Sequence, residues 1–276
     1  MAFDVSQSEV QEAVRRALAE DIGAGDITTN LCVPAEANAT GFMIARESLT
    51  LAGAELLPLI FTGCRVELCR QSGDRLKDGD EIAVVKGSAR ALLTGERTAL
   101  NFVQRLSGIA TAASAYVRAV EGTGCRILDT RKTTPGLRRL EKMAAAAGGA
   151  TNHRLGLFDA VLIKNNHVTA AGGVRAALER TRSAGVPVEI EVRTRPELEE
   201  ALACGATHLL LDNLHPDEAR EWIAHIDGRA KVELSGGITL ENARAYAETG
   251  ADFLSSGAIT HSARAVDINL RLELLP

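Results

Sequence analysis

The chain has 276 residues, 46% of them apolar but only 3% aromatic, with 36 carboxylates against 31 Lys and Arg and a formal net charge of −5. This balance excludes a general polyanion binder such as a nucleic-acid coat, so any anion site must be local. Five cysteines without a C-x-x-C pair suit neither a spaced zinc site nor a disulfide framework and point to a reducing cytosol. No stretch approaches the roughly 18 apolar residues of a membrane span, and the opening MAFDVSQSEVQEAV lacks the cationic flank and apolar run of a signal peptide.

In chain order, SQSEVQEAVRRALAED (6–21) places apolar residues at helical spacing, with Ser6 as the expected N-cap and Glu9 three residues on. GAGDITT breaks that helix. From 39 to 88 the chain reads as short strands, ATGFMIARE, CRVELCRQ and EIAVVKG, with a helical piece at AELLPLIF and turn signals at SGD and KDGD. Residues 88–120 are strongly helical, with a break expected at Gly108. Thereafter RILDT, AVLIK, VPVEIEV, THLLLDN, KVELS and DFLSS alternate with mostly Ala-rich helical segments, the pattern of βαβ units around a parallel sheet. Six such units suggest an incomplete barrel. The tail DINLRLEL (267–274) alternates polar and apolar residues, as a half-buried strand does.

In parallel α/β barrels the chemistry sits at the carboxyl ends of the strands. Here those ends carry Asp129, Thr130, Arg131 and Lys132; Lys164, Asn165, Asn166 and His167; Glu189 and Glu191; Asp212 and Asn213; Ser235, Gly236 and Gly237; and Ser256 and Gly257. The two glycine-bearing ends match a phosphate cradle, with ITLENARAYAE as a following helix; ordinary strand-to-helix turns remain the alternative. Arg131, Lys132, Arg154 and Lys164 could converge on anionic oxygens, because neighbouring cations repel unless an anion joins them. Arg138, Arg139 and Lys142 read instead as a solvated helix face. Glu189 and Glu191 share one strand face and could pair with cations, grip hydroxyls or, with Asp212, help hold Mg²⁺; a structural ion pair with Lys164 competes for Glu189. His153 and His167 lack metal-ligand spacing. The reading at this point is a ligand with several negative groups, at least one of them a phosphate.

GERTALNFVQRLSGIAT (95–111), DTRKTTPGLR (129–138), NHRLGL (152–157), IKNNHV (163–168), EIEV (189–192), LLDN (210–213), ELSGGIT (233–239) and SSGAITHSARAVDINL (255–270) together resemble the quinolinate phosphoribosyltransferase family, over nearly the whole chain. The resemblance implies an α/β fold of the type II phosphoribosyltransferase kind: an N-terminal α/β sandwich (1–112), a partly open α/β barrel with the catalytic site (113–265) and a closing strand (266–276) that returns to the N-terminal domain. It implies that quinolinate and phosphoribosyl pyrophosphate give nicotinate mononucleotide, pyrophosphate and CO₂ in de novo NAD synthesis, with Mg²⁺ travelling on the pyrophosphate.

Carried over by position, Thr130, Arg131, Lys132, His153, Arg154 and Lys164 line the quinolinate and pyrophosphate site. Glu191 and Asp212 face the ribose and metal, and Ser235, Gly236, Gly237 and Gly257 hold the 5′-phosphate. Lys132, Lys164, Glu191 and Asp212 are the expected catalytic set. The working unit is a cytoplasmic homodimer in which Arg97 reaches into the neighbouring subunit's site; further assembly to a hexamer is left open, and no nucleic acid or membrane is involved.

Three positions depart from the family pattern: Ala150 where a third glycine is common, Arg193 where Asp, Glu or Asn is usual, and the SSGAIT stretch. Arg193 shares the face of Glu191 and is expected to salt-bridge it. A molybdenum-transport accessory protein on the same scaffold is a competing reading, but its PHR motif and missing K-N-N-H run contrast with Asn152 and Lys164–His167 here. Nicotinate phosphoribosyltransferase shares the barrel type, yet its motifs are absent. A non-catalytic anion-binding dimer is the third class.

Overall fold

The computed structural model describes residues 3–275. In chain order its elements are α1 (Ser8–Ile22), α2 (Ile27–Cys32), β1 (Asn38–Ala45), β2 (Leu49–Thr50), α3 (Leu57–Ile60), β3 (Arg65–Leu68), β4 (Arg75–Leu76), β5 (Glu81–Ser88), α4 (Ala89–Ala119), β6 (Arg126–Leu128) and α5 (Arg138–Ala147). There follow β7 (Val161–Ile163), α6 (Asn165–Ala171), α7 (Val174–Thr181), β8 (Val188–Val192), α8 (Arg195–Ala203), β9 (His208–Asp212), α9 (Pro216–Ile226), β10 (Lys231–Ser235), α10 (Ala243–Ala247), β11 (Phe253–Ser255), α11 (Ala258–His261) and β12 (Ile268–Leu274). The chain forms two compact units, one of residues 1–114, 133–149 and 259–276, the other of 115–132 and 150–258.

The first unit is built on an antiparallel sheet in the order β12-β1-β5-β3, with β12 running along β1 from Ala45↔Ile268 to Ala39↔Leu274. Polar side chains of α4 hold the neighbouring backbone: Ser107 Oγ accepts from Ala52 N (3.0 Å), Thr111 Oγ1 accepts from Thr50 N (2.9 Å) and Gln104 Nε2 donates to Ile268 O (2.7 Å). The expected break at Gly108 does not occur, and α4 runs unbroken. Gly108 serves packing instead, since a Cβ there would lie 2.0 Å from Arg264 O. Ser6 is not the cap of α1. Its hydroxyl and N–H both turn to Asp4 Oδ1, and the helix starts at Ser8 behind Gln7, without a side-chain cap.

The reading of Lys142 as part of a solvated face is also overturned: α5 buries Glu141 and Lys142 completely. Glu141 accepts from Thr134 N (3.1 Å), Thr134 Oγ1 (2.7 Å) and Arg105 Nη2 (3.2 Å), and Lys142 is partnered as well. A buried charge is tolerable only with such partners. For Glu141 they come from Thr134 and Arg105, which helical periodicity within α5 does not reveal.

The second unit is a six-stranded parallel sheet in the order β6-β11-β10-β9-β8-β7. Its strands read as continuous apolar runs because parallel sheets are covered on both faces; Ile190, Val192, Leu209, Leu211, Leu234 and Leu254 are all buried. An isolated parallel bridge, Leu128↔Thr151, extends the β6 edge. Just beyond it, His153 reaches Glu189 on β8 and Glu233 on β10, so the sheet curls around this segment as an open barrel. The helix expected directly after Gly237 is shorter: α10 begins only at Ala243. Asn242 explains the delay, accepting from Thr239 N (2.8 Å) and donating to Gly237 O (2.9 Å). A side chain that satisfies loop backbone in this way competes with a helical first turn.

Candidate active site

The carboxyl end of β6 is organised by Asp129, a wholly buried carboxylate. Its Oδ1 accepts from His153 N (2.8 Å) and its Oδ2 from Asn152 Nδ2 (2.7 Å). The segment carrying Arg131 and Lys132 is thereby tied to the segment carrying Arg154. Burial, and next the charge of Arg131, lower the pKa of Arg154, while Asp159 and Glu189 partly offset them. The Arg154 guanidinium donates one hydrogen bond, from Nη1 to Ala160 O (3.1 Å). Its buried Nε has no partner, and the same is true of Arg131 Nε. Two mutually repelling guanidinium groups with unmade buried hydrogen bonds are an unstable arrangement in isolation, since each unsatisfied donor costs about 1–3 kcal/mol. A carboxylate or phosphate relieves both defects. Lys132 is exposed beside them, its N–H donating to Thr130 Oγ1 (3.0 Å). Lys164 is exposed at the end of β7, where its N–H donates to His167 Nδ1 (2.9 Å), which makes His167 a brace of the first turn of α6.

The ends of β8 and β9 supply acids. Glu191 is buried and Asp212 half-buried, and Arg193 Nη2 lies 2.6 Å from Glu191 Oε1 and 3.3 Å from Asp212 Oδ2. The expected Arg193–Glu191 salt bridge is therefore present, and it extends to Asp212. Asn213 completes the group, donating to Asp212 Oδ2 (2.8 Å) from a left-handed backbone at φ 60° that Asn tolerates better than most residues. Asn213 N donates to Ser235 O (2.8 Å), which continues the β9–β10 pairing into the loop. There Gly236 adopts φ 94°, and a Cβ would stand 2.2 Å from Asn213 Oδ1. The Ser235-Gly236-Gly237 turn thus needs glycine for a close approach as well as for its φ. At the next strand end, Ser256 donates to Ile238 O (2.9 Å) through its hydroxyl and to Leu128 O (3.3 Å) through its N–H, fixing the backbone that leads into Gly257.

A further cluster lies inside the barrel. His153 Nδ1 accepts from Arg154 N (2.7 Å), so Nε2 carries the ring proton and faces Glu189 Oε2 (3.1 Å) and Glu233 Oε2 (3.5 Å). Glu189 therefore pairs with His153, where Lys164 had been the competing partner. Glu233 is only 3% exposed; burial first, then the charge of Glu189, push its pKa up to about 8, which favours its neutral form. A hollow of about 250 Å³ reaches this cluster from the strands' amino ends, among Arg126, His208, Lys231 and Phe253. The three ligand atoms lie within 4.8 Å of one another, a spacing a metal ion accepts, but hydrogen bonding already satisfies the group. The larger hollow, about 450 Å³, belongs to the first unit and carries none of the expected site residues. Arg97 is exposed on α4 of that unit. Sequence reasoning missed Asp129, Asn152 and Glu233 as organisers. For Glu233 a signal existed: a carboxylate inside KVELS, a strand whose two faces are both covered.

Residues 26–107 match the model for the quinolinate phosphoribosyl transferase N-terminal domain, and residues 109–271 match that for its C-terminal domain. The chain is 45% identical over 284 residues to the nicotinate-nucleotide pyrophosphorylase [carboxylating] of Mycobacterium leprae, covering 99% of this chain and 100% of the relative. It is 41% identical to the probable enzyme of that name from Bacillus subtilis, covering 92% and 90% of the two chains. The crystal structure of NadC from Streptococcus pyogenes superposes with a TM-score of 0.91 at 36% identity, covering 97% of this chain and 98% of the other.

Proposed function

The chain belongs to the quinolinate phosphoribosyl transferase family, and on that premise we propose that it is a decarboxylating phosphoribosyltransferase. It converts quinolinate and phosphoribosyl pyrophosphate to nicotinate mononucleotide, pyrophosphate and CO₂, for NAD synthesis. The observation that carries the reading is the pair of half-buried arginines, Arg131 and Arg154, each with a buried Nε that lacks a partner. Both substrates are polyanions, and such donors receive them.

Arg131 and Arg154 hold the ring carboxylates, with Lys132 and Lys164 sharing the charge of carboxylate and pyrophosphate. Clamped carboxylates cannot rotate, so the ring nitrogen is aimed before reaction. The nitrogen lone pair forms the bond to ribose C1 as the C1–oxygen bond to pyrophosphate breaks, and the departing charge falls to the lysines. Glu191 and Asp212 receive ribose hydroxyls and sit where positive charge develops on the sugar. The quaternised nitrogen then accepts electron density as the 2-carboxylate leaves as CO₂. The electron pair stays on C2 and takes a proton from water. No side-chain nucleophile takes part; positioning and preorganised charge carry the rate. The turn at Ser235, Gly236 and Gly237, with Gly257, receives the 5′-phosphate through backbone N–H groups.

A divalent cation such as Mg²⁺, when bound, would supply charge neutralisation on the pyrophosphate. Glu191 and Asp212 have suitable oxygen donors for it, but Arg193 already spans both, so as arranged they do not fit a protein-held ion. The working unit is a homodimer, with Arg97 completing the neighbour's site; its exposure on α4 supports that role. Five free cysteines support a cytosolic setting, and no helix among the described residues is long and apolar enough to cross a membrane.

The test is incubation with phosphoribosyl pyrophosphate, Mg²⁺ and quinolinate labelled in the 2-carboxyl group. Release of labelled CO₂ with formation of nicotinate mononucleotide is expected. Binding of both substrates without release would instead identify a non-catalytic anion-binding dimer.

A further inference from the structure

Glu191 and Arg193 stand two positions apart, with Val192 between them, so on an extended chain their side chains leave on the same face. The Arg193 backbone is pinned at the start of α8, where its N–H donates to Glu197 Oε2 (2.8 Å) and Thr194 caps the helix. The guanidinium, 45% exposed, lies across both acids. Its approach to Glu191 is an ion pair without hydrogen-bond alignment: at 2.6 Å, Glu191 Oε1 still lacks a hydrogen-bond partner, although the side chain is only 7% exposed. Asp212, by contrast, accepts hydrogen bonds from both Arg193 (3.3 Å) and Asn213 (2.8 Å). The pair therefore combines a neutralising cation with one buried acceptor whose hydrogen bond is unmade. Two bare carboxylates would attract a free divalent ion. Two carboxylates bridged by a guanidinium repel one, yet still accept a hydroxyl proton.

We propose that Arg193 excludes free divalent cations from the Glu191–Asp212 pair and reserves Glu191 Oε1 for a hydroxyl donor, which makes it a specificity-determining residue of this site. The metal then enters only on the pyrophosphate. That the hydroxyls are those of a ribose rests on the function proposed above; the exclusion of the cation does not.

The experiment uses the full chain without substrate and Mn²⁺ alone as the probe, with bound ion counted from loss of the free Mn²⁺ resonance. Wild type is expected to bind no Mn²⁺ at this pair in the roughly millimolar range of weak carboxylate sites. Arg193→Met, which keeps an apolar stem and removes the charge, should gain one Mn²⁺ per chain, at least about tenfold tighter than any wild-type binding. Arg193→Lys, which restores a positive charge, should exclude the ion again. Asp212→Asn in the Arg193→Met background should erase the gained site. Should Arg193→Met unfold, Arg193→Gln serves in its place. The proposal is overturned if the neutral variants bind no more Mn²⁺ than wild type, or if wild type already binds an ion that Asp212→Asn removes. Both outcomes are read without turnover, so they are independent of whether quinolinate is decarboxylated.

Discussion

Two charged clusters in the second unit meet at the neighbouring residues His153 and Arg154 and differ in how they are satisfied. Arg131 and Arg154 face each other with like charge, and each has a buried donor without a partner. His153, Glu189 and Glu233 form the other cluster, where the imidazole is bonded at both nitrogens and burial raises the pKa of the second acid. The first arrangement is incomplete without an anion. The second is complete as it stands and braces the segment that presents Arg154. Burial alone does not mark a binding site; here the first cluster adds unmade hydrogen bonds and like charge to its burial.

The comparison breaks most clearly if a residue on the incomplete side can be removed cheaply. Lys132→Ala should lose roughly two to four powers of ten in turnover, the usual cost of deleting a preorganised charge donor. Its melting temperature should hardly move, because the side chain is exposed. Near-wild-type turnover with unchanged substrate affinity would contradict the role. Mixed with an Arg97→Ala variant under conditions of proven subunit exchange, it should recover part of the activity; continued inactivity would remove Arg97 from the shared site.

Gly236→Ala probes the turn between the acids and the expected phosphate position. A methyl 2.2 Å from Asn213 Oδ1 at φ 94° must displace Asn213 or the turn. The expected loss is about 1–3 kcal/mol in a denaturant titration, with a raised KM for phosphoribosyl pyrophosphate. Wild-type stability together with an unchanged KM would mean that the turn has slack and carries no phosphate.

Glu233→Gln sharpens the other half of the comparison, and its effect should be the smallest. The native pKa of about 8 stands above the roughly 4.3 of an exposed glutamate, so between those values the folded chain keeps a proton that the unfolded chain releases. Stability from this group is full below pH about 4 and is lost as pH rises through 8. The glutamine cannot titrate, so its melting temperature should decline less than wild type between pH 5 and 8, with turnover little changed. Parallel curves would show that Glu233 is ionised in the fold; a large loss of turnover would move the inner cluster into the chemistry.

Much of the site was legible because parallel strands bury both faces. Their apolar runs end where polarity returns, and those ends named Arg131, Lys164, Glu191, Asp212 and Gly236. The same logic left Glu233 unread, since a carboxylate inside such a run finds its partners on other strands. Gly108 misled for a related reason: local propensity predicts a break, whereas the close approach of Arg264 O decides for an unbroken helix. Lys142 sat on a helix with a plausible wet face and proved to be buried.

By itself the sequence determined the alternation of strands and helices, the polar and glycine-bearing strand ends that form the candidate site, and through its motifs the family. These are properties of periodicity and residue type within about a dozen neighbours. Only the tertiary structure decided which charges are satisfied and which are waiting. It brought Arg154 beside Arg131, closed His153 onto Glu189, and laid Arg193 across Glu191 and Asp212. Hydrogen-bond satisfaction depends on distances between residues far apart in the chain, and those distances exist only after folding.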